Sequence, residues 1–399
     1  MNDHLIRRSN FSASSSLSGY LFQCRYALLE ALKKIKRQNT FSVYIESLDD
    51  VVFETGSDVV EILQTKHHYG NATNLTDASP DLWKTIRIWC DLYKDRQAGQ
   101  DTFFFLVTTA STSRNSIADH LSSGSNRNVA NAIALLNSIA YSSTSTENTQ
   151  AYEAFRALSN EEKNDLFGSI YIFDSNPTLP NIDKDIRQEL FFAVEVKYLD
   201  AFMKRFEGWW FRRVIRQISK SEVEPILSEE ISEELSHIRE QFKAENLPID
   251  DDILSLVVNS EDFQDKTFVQ QLQLINLGDK RILFAIRDYF RAFTQRSRWL
   301  REDLLYVGEL GRYERRLLEE WELHFESMRE DLGDAATEEE KEKAARLLYK
   351  WIEEGDLYQI RSGVREPCIP RGSYHILADQ IKVGWHIEFV ERLHELLEA

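Results

Sequence analysis

Three cysteines, three methionines and seven prolines in 399 residues leave this chain short of the residues that build disulfide frameworks, metal-thiolate sites and rigid linkers. Cys24, Cys90 and Cys368 are far apart, odd in number and in no metal-ligand spacing, so neither a disulfide scaffold nor a zinc site is expected and the thiols read as reduced. Long apolar runs are absent too. No stretch approaches membrane-spanning length, and MNDHLIRRSNFSASSS lacks the apolar core of a signal peptide, which makes the cytoplasm the expected location, with no membrane contact. Positive charge is in short supply: 48 Lys and Arg stand against 66 Asp and Glu, a formal net charge of -18. The field of the whole chain therefore repels nucleic acid, and any such contact must use a local basic patch. No internal repeat period is apparent.

What is present is enough apolar sequence for a sizeable core, at a length that suits two or three domains. From Ser18 onward, Leu21, Cys24, Leu28, Leu32 and Ile35 recur at helical spacing, while Gln23, Glu30 and Lys34 fall on the opposite side, either as a solvated face or as a face turned to a metal. Phe41 to Glu46 reads as a short strand, followed by Val51 to Glu54, a turn at Gly56 and Ser57, and a run from Val59 to Lys66. Pro80 opens a helix in which Leu82, Trp83, Ile86, Trp89, Cys90 and Tyr93 keep helical spacing, with Trp83 and Trp89 as core. DTFFFLVTT, Asp101 to Thr109, is an apolar strand of the kind buried on both faces. Further helices are expected over Asn128 to Ala140, Tyr152 to Phe167 and Ile182 to Lys220, with a strand at Ser169 to Phe173. The order helix, three strands, helix, strand predicts an α/β fold, a mixed sheet with helices against it.

In GWWFRRVIRQISK, residues 208–220, Trp209, Trp210 and Phe211 stand beside Arg212, Arg213, Arg216 and Lys220. A buried aromatic face with snorkelling arginines is the favoured reading, ahead of a phosphate-binding flank. Glu222 to Ser260 is acidic, and Thr267 to Ala399 is almost all helical.

The spacing that looks most like chemistry lies in IESLDDVVFETGSDVVEILQTKHH, residues 45–68. Along a strand Ile62, Gln64 and Lys66 share one side, and Glu61, Leu63 and Thr65 share the other. If the hairpin brings Asp50 to the same end, a carboxylate, an amide oxygen and an ammonium converge, a set suited to metal-assisted phosphodiester hydrolysis. Mg2+, or Mn2+ in its place, takes hard oxygen ligands. Asp50 would anchor it, Gln64 would offer its amide oxygen or hold a bound water, and Lys66 would hydrogen-bond the attacking water or the phosphate. An amide binds Mg2+ more weakly than a carboxylate, so a second acid is expected nearby. Glu30 ranks ahead of Glu46 because a helix can swing it over the hairpin, whereas Glu61 is on the wrong strand face. His67 and His68 read as phosphate contacts, and Lys33, Lys34, Lys36 and Arg37 as a small basic patch that steers phosphate or caps its helix. His375 and His386, among glycines and aromatics, suggest packing or docking.

Taken alone, D…QxK also fits an edge strand with ordinary polar residues. The whole ordering, with Gly19, Tyr20 and Gln23 on the first helix, then IESLDD, ILQTK, a helix and an apolar strand, resembles the restriction-endonuclease-like nucleases, in the branch with Gln before the Lys. QRSRWLRED (295–303), GRYERRLLEEWELHF (311–325), RGSYHILAD (371–379) and VGWHIEF (383–389) resemble the C-terminal region of nuclease effectors in Lamassu-type defence systems. That resemblance implies a metal-dependent double-stranded DNA endonuclease acting against phage and plasmids. It implies catalytic Asp50, Gln64 and Lys66, and partners consisting of an SMC-like ATPase subunit and a small accessory subunit. It also implies silence in the complex and activity on release as a homo-oligomer. The implied layout is a nuclease domain over 1–220, an acidic linker over 221–266 and a helical docking domain over 267–399. The alternative is a non-catalytic nuclease-fold scaffold bridging DNA and partners.

Overall fold

The hairpin region forms an antiparallel meander: β1 (Ser42–Ser47), β2 (Asp50–Thr55) and β3 (Asp58–Lys66), with Gly56 at φ 67° supplying the left-handed turn between β2 and β3. These strands belong to a computed structural model that describes residues 13–37, 40–47, 50–56, 58–66, 74–97, 101–175, 179–220, 224–333 and 335–398. The chain divides into two units, one running to Ala193 and taking in Met203–Ser236, the other made of Val194–Phe202 and His237–Ala399.

In the first unit the meander follows α1 (Ala13–Ile35) and continues through a two-residue strand, β4 (Asn74–Leu75), into α2 (Pro80–Lys94) and β5 (Phe103–Thr108). β5 is parallel to β3, as a helical crossover requires, and β7 (Ile170–Phe173) is parallel to β5. β6 (Ser111–Thr112) pairs with β4. Between β6 and β7 lie α3 (Ile117–His120), α4 (Val129–Ser142), α5 (Thr149–Arg156) and α6 (Asn160–Gly168). The single helix expected over Tyr152 to Phe167 is two, because Ser159 and Glu162 form a capping box that starts α6. Likewise Ile182 to Lys220 is α7 (Leu179–Glu189) and α8 (Leu199–Ile218). After α8 come β8 (Ile226–Leu227), which pairs antiparallel with β1, and α9 (Ser228–Glu240). The six strands of the mixed sheet run β7-β5-β3-β2-β1-β8. Part of the segment read as an acidic linker is thus the edge of the sheet: Ile226 is fully buried, and Arg213 donates to the carbonyl of Pro225.

One sheet face carries Val52, Ile62, Phe104, Leu106, Ile170 and Ile172 into a core shared with Trp83, Ile86 and Trp89 of α2, so both tryptophans are structural. α1 packs on the other face, where Lys34 pairs with Glu61 and sits over the Phe53 ring. Its outer side is covered as well. Trp210 donates to the Cys24 carbonyl (2.9 Å), and Arg25 pairs with Glu207 (2.6 Å) and Asp183 (2.8 Å). This double cover buries Gln23, whereas Leu21 of the expected apolar stripe is exposed. β5 departs from the fully buried strand of the sequence reading: Phe104 and Leu106 are buried, but Phe103 is exposed and Phe105 stacks on Tyr171 (5.9 Å) and Phe173 (5.8 Å).

The second unit is helical: α10 (Asp251–Leu254), α11 (Thr267–Leu274), α12 (Asp279–Arg301), α13 (Glu309–Leu332), α14 (Glu338–Glu354), α15 (Cys368–Asp379) and α16 (Phe389–Glu398). Left-handed Gly308 and Gly333 bracket α13, and a Thr337–Glu340 capping box starts α14. α12 and α15 cross so closely that a Cβ on Gly372 would lie 2.1 Å from the Asp288 carbonyl oxygen. No helix of the described residues is long and apolar enough to cross a membrane.

Candidate functional site

β2 and β3 pair in the register Val51 to Leu63, so one step further along both strands Asp50 and Gln64 stand opposite each other. Lys66 lies two residues beyond Gln64 on the same strand face, beside Thr108 of β5. Gln64 is 6 % exposed and Lys66 half-buried. The three positions thus gather at the start of β2 and the carboxyl end of β3, and the carboxyl ends of parallel strands are where sheets of this kind place ligands. There the chain turns tightly: Thr109 donates its N–H to the Lys66 carbonyl (3.2 Å), and Asp174, just past β7, accepts from the N–H and hydroxyl of Thr112 (both 2.8 Å).

The two candidates for a second carboxylate separate clearly. Glu30 pairs with Lys33 (2.9 Å) and bonds the buried Tyr26 hydroxyl; burial first, then Glu30, raises the Tyr26 pKa. It belongs to the α1 face of the sheet, the side of Glu61, while Gln64 and Lys66 share their face with Ile62 on the α2 side. Expecting α1 to swing Glu30 over the hairpin therefore fails. Glu46 instead falls where the β1–β2 register shifts, between the pairs Ile45–Val51 and Ser47–Asp50. Such bulges cluster beside functional sites, and this one adjoins Asp50. The side chains of Glu46 and Asp50, and all of His67 and His68, lie outside the described residues.

The basic patch at the end of α1 is not a phosphate site of free cations. Lys33 is held by Glu30, Lys34 by Glu61 (2.6 Å) and Lys36 by Glu189 (2.6 Å), which leaves Arg37 exposed. Glu61 is also five residues upstream of Lys66, about 16 Å along the strand. A residue the sequence reading passed over, Gln217, is fully buried at the end of α8. It accepts from the Ile45 N–H (2.9 Å) and donates to the Val43 carbonyl (3.1 Å), fixing α8 against β1 just before the bulge. Its only signal was a polar residue on the inward face of α8.

In the second unit the motifs that looked like docking elements are largely internal. Trp299 donates to the Pro248 carbonyl (2.7 Å), Trp321 to that of Gly384 (2.9 Å) and the Tyr374 hydroxyl to that of Leu317 (3.1 Å), while His375, Trp385 and His386 are buried. Residues 268–393 match the family model for C-terminal domain 7 of the ABC-three component (ABC-3C) systems. The match runs from α11 into α16, and this part of the chain is the C-terminal domain of a multi-component system. No curated protein matches the chain. Solved structures of the Acinetobacter baumannii Cap4 SAVED/CARF-domain containing receptor align with 70 % of this chain. The complex with the cyclic trinucleotide 3'3'3'-cAAA aligns over 69 % of its own length at 13 % identity and a TM-score of 0.33. The receptor without that ligand aligns over 68 % at 13 % identity and a TM-score of 0.35. Likeness at this level carries no argument about binding or chemistry.

Within the ABC-3C domain, Glu338, His386 and Glu388 come close enough to invite a metal reading. The hydrogen bonds oppose it. The Glu388 N–H donates to His386 Nδ1 (3.1 Å), so the neutral ring carries its proton on Nε2, the atom 3.4 Å from Glu338 Oε1. Both carboxylates are already held, Glu338 by Arg392 (2.5 Å) and Glu388 by Arg392 (3.0 Å) and Lys341. Burial first, then Arg392, lowers the His386 pKa, which keeps the ring neutral. The cluster is a latch joining α14 to α16. A second latch of the ABC-3C domain is Arg361, whose guanidinium meets both oxygens of Glu309 (2.7 and 2.8 Å) and the carbonyls of Asn246 and Leu304. Burial alone would raise the Glu309 pKa; Arg361 and the Tyr306 N–H overcome it and hold the carboxyl below its usual range.

Proposed function

We propose that the sheet unit is a restriction-endonuclease-like nuclease and the chain the effector of an ABC-3C defence system acting on phage and plasmid DNA. The observation that carries this reading is the register that sets Asp50 opposite Gln64, with Lys66 two residues further at the carboxyl end of β3. The order α1-β1-β2-β3-α2-β5, with β5 parallel to β3, supports it. Asp50 and Gln64 offer hard oxygens, which fits Mg2+ or Mn2+. A bound ion would be held by these two, with Glu46 as the further carboxylate, and would neutralise charge on the scissile phosphate. Lys66 holds the phosphate or the attacking water by hydrogen bonds from its ammonium, and Gln64 orients what Asp50 anchors.

The ABC-3C domain docks the nuclease onto partner subunits, an SMC-like ATPase and a small accessory subunit as in Lamassu-type systems, which hold it silent. Release lets copies associate, because cutting both strands of a duplex takes two active sites. The competing reading is a scaffold of the same fold that binds DNA without cutting it. A phage-challenge assay with the full partner set separates the two: Asp50→Asn abolishes protection if the chain is a nuclease and leaves it intact if the chain is a scaffold. Digestion of duplex DNA, single-stranded DNA and RNA in parallel tests the substrate.

A further inference from the structure

α8 buries Met203, Phe206, Trp210, Arg213, Val214 and Gln217. That inward stripe leaves an outward arc made of Lys204, Gly208, Arg212, Ile215 and Arg216, all exposed. The three cations of this arc stand on one row of positions four apart with no acid between them, and Asp200, exposed, holds the position before Lys204 on the same row. Glu207 lies off the arc and is taken by Arg25, and Glu224, beyond the helix, pairs with Lys220 (2.7 Å). Arg213, by contrast, is consumed inside the unit by Glu230 (2.6 Å) and the Pro225 carbonyl. Among the described residues Lys204, Arg212 and Arg216 form no ion pair, in a chain whose net charge is -18.

We propose that this row is a phosphate-contacting ridge that holds duplex DNA against the carboxyl end of the sheet. The proposal rests on the nuclease reading and adds where the substrate lies. From Lys204 to Arg216 the helix rises about 18 Å, the axial rise of roughly five phosphates on one DNA strand. The ridge lies on the α1 side of the sheet, and its C-terminal end is tied to the strand that leads to Asp50. Gln217, next to Arg216, clasps β1 at Ile45, two residues before Ser47, which pairs with Asp50. Ile215, 56 % exposed among the cations, is an apolar group that a sugar edge would cover. An anionic bilayer would call for a broad apolar stripe, and the arc holds one isoleucine.

The test is duplex binding by the full-length chain in EDTA, which separates binding from cleavage, read as fluorescence anisotropy of a labelled duplex across about 50 to 200 mM salt. Because each phosphate contact contributes about 0.9 to the slope of log K against log salt, the triple variant Lys204→Ala, Arg212→Ala, Arg216→Ala should bind more weakly with a slope shallower by about 2.7. Its melting temperature should match that of the parent, since all three side chains are exposed. Unchanged slope and affinity in the triple variant overturn the proposal, as does failure of the parent to bind duplex. Preferential capture by phosphatidylserine vesicles, with DNA ignored, overturns it as well. Lys66→Ala, which removes one phosphate contact at most, should change the slope by no more than about 0.9. If the triple variant loses the slope while the parent never cuts DNA in Mg2+, the ridge stands and the nuclease reading falls.

Discussion

Acidification from pH 7.5 to pH 5.0 should destabilise the ABC-3C domain by about 2 kcal/mol through His375 alone. The His375 ring is wedged in α15 between Phe268 (5.4 Å), Tyr349 (5.9 Å) and Trp385 (6.4 Å), and its Nδ1 has no hydrogen-bond partner among the described residues. Burial first, then the nearby Arg371 guanidinium, pushes its pKa down to about 3. An unfolded histidine titrates near 6.5, so as pH falls below that value the unfolded chain binds a proton that the folded chain refuses. The stability is therefore fully present above about pH 6.5 and drains as pH falls toward 3; at pH 5.0 the difference is RT ln 32, about 2 kcal/mol. His375→Phe keeps an aromatic ring in the same cage and removes the proton. Urea unfolding followed by tryptophan fluorescence at both pH values gives the comparison, and every other titrating group, His386 included, cancels between parent and variant. The parent should lose about 2 kcal/mol more than His375→Phe on acidification. Equal losses would refute the assignment of a buried, neutral His375.

Two further substitutions probe the frame of the same domain. Arg361→Ala leaves the Glu309 carboxylate buried without its guanidinium, and a loss of about 3 kcal/mol or more is expected in urea unfolding at pH 7.5, with partial recovery in the Arg361→Ala, Glu309→Gln double variant. Gly372→Ala drives a Cβ to 2.1 Å from a backbone carbonyl that cannot swing aside, so α12 and α15 must part. A loss of about 3 kcal/mol is expected, visible as a lowered melting temperature.

The meander, the α2 crossover and β7 were legible in the sequence because period-2 runs bounded by turn residues, and a Pro-initiated helix with an aromatic stripe, are local signals. What failed was anything decided by a distant partner. The Gln23, Glu30 and Lys34 side of α1 read as solvated or metal-facing, yet Gln23 is buried and Lys34 reaches Glu61 on the sheet, while α7 and α8, over a hundred residues later, cover the helix from outside. β8 was invisible for the same reason: two residues in an acidic run become strand only because β1 has an open edge. At the candidate site, the alternation that groups Gln64 with Lys66 needed nothing beyond the sequence. The placement of Asp50 opposite Gln64 needed the register, and the preference for Glu46 over Glu30 needed both the bulge and the knowledge of which sheet face α1 covers. In GWWFRRVIRQISK both readings hold in part, with Trp210 and Arg213 inside and Arg212 and Arg216 outside.

If Asp50, Gln64 and Lys66 form a metal-dependent nuclease centre, the purified chain freed of partner subunits should cleave plasmid on its own. With Mg2+ the parent should nick and linearise supercoiled plasmid, EDTA should stop it, and Lys66→Ala and Asp50→Asn should each leave the plasmid supercoiled while still binding duplex. Intact plasmid with the parent, or cutting by Lys66→Ala at the parental rate, would contradict the account.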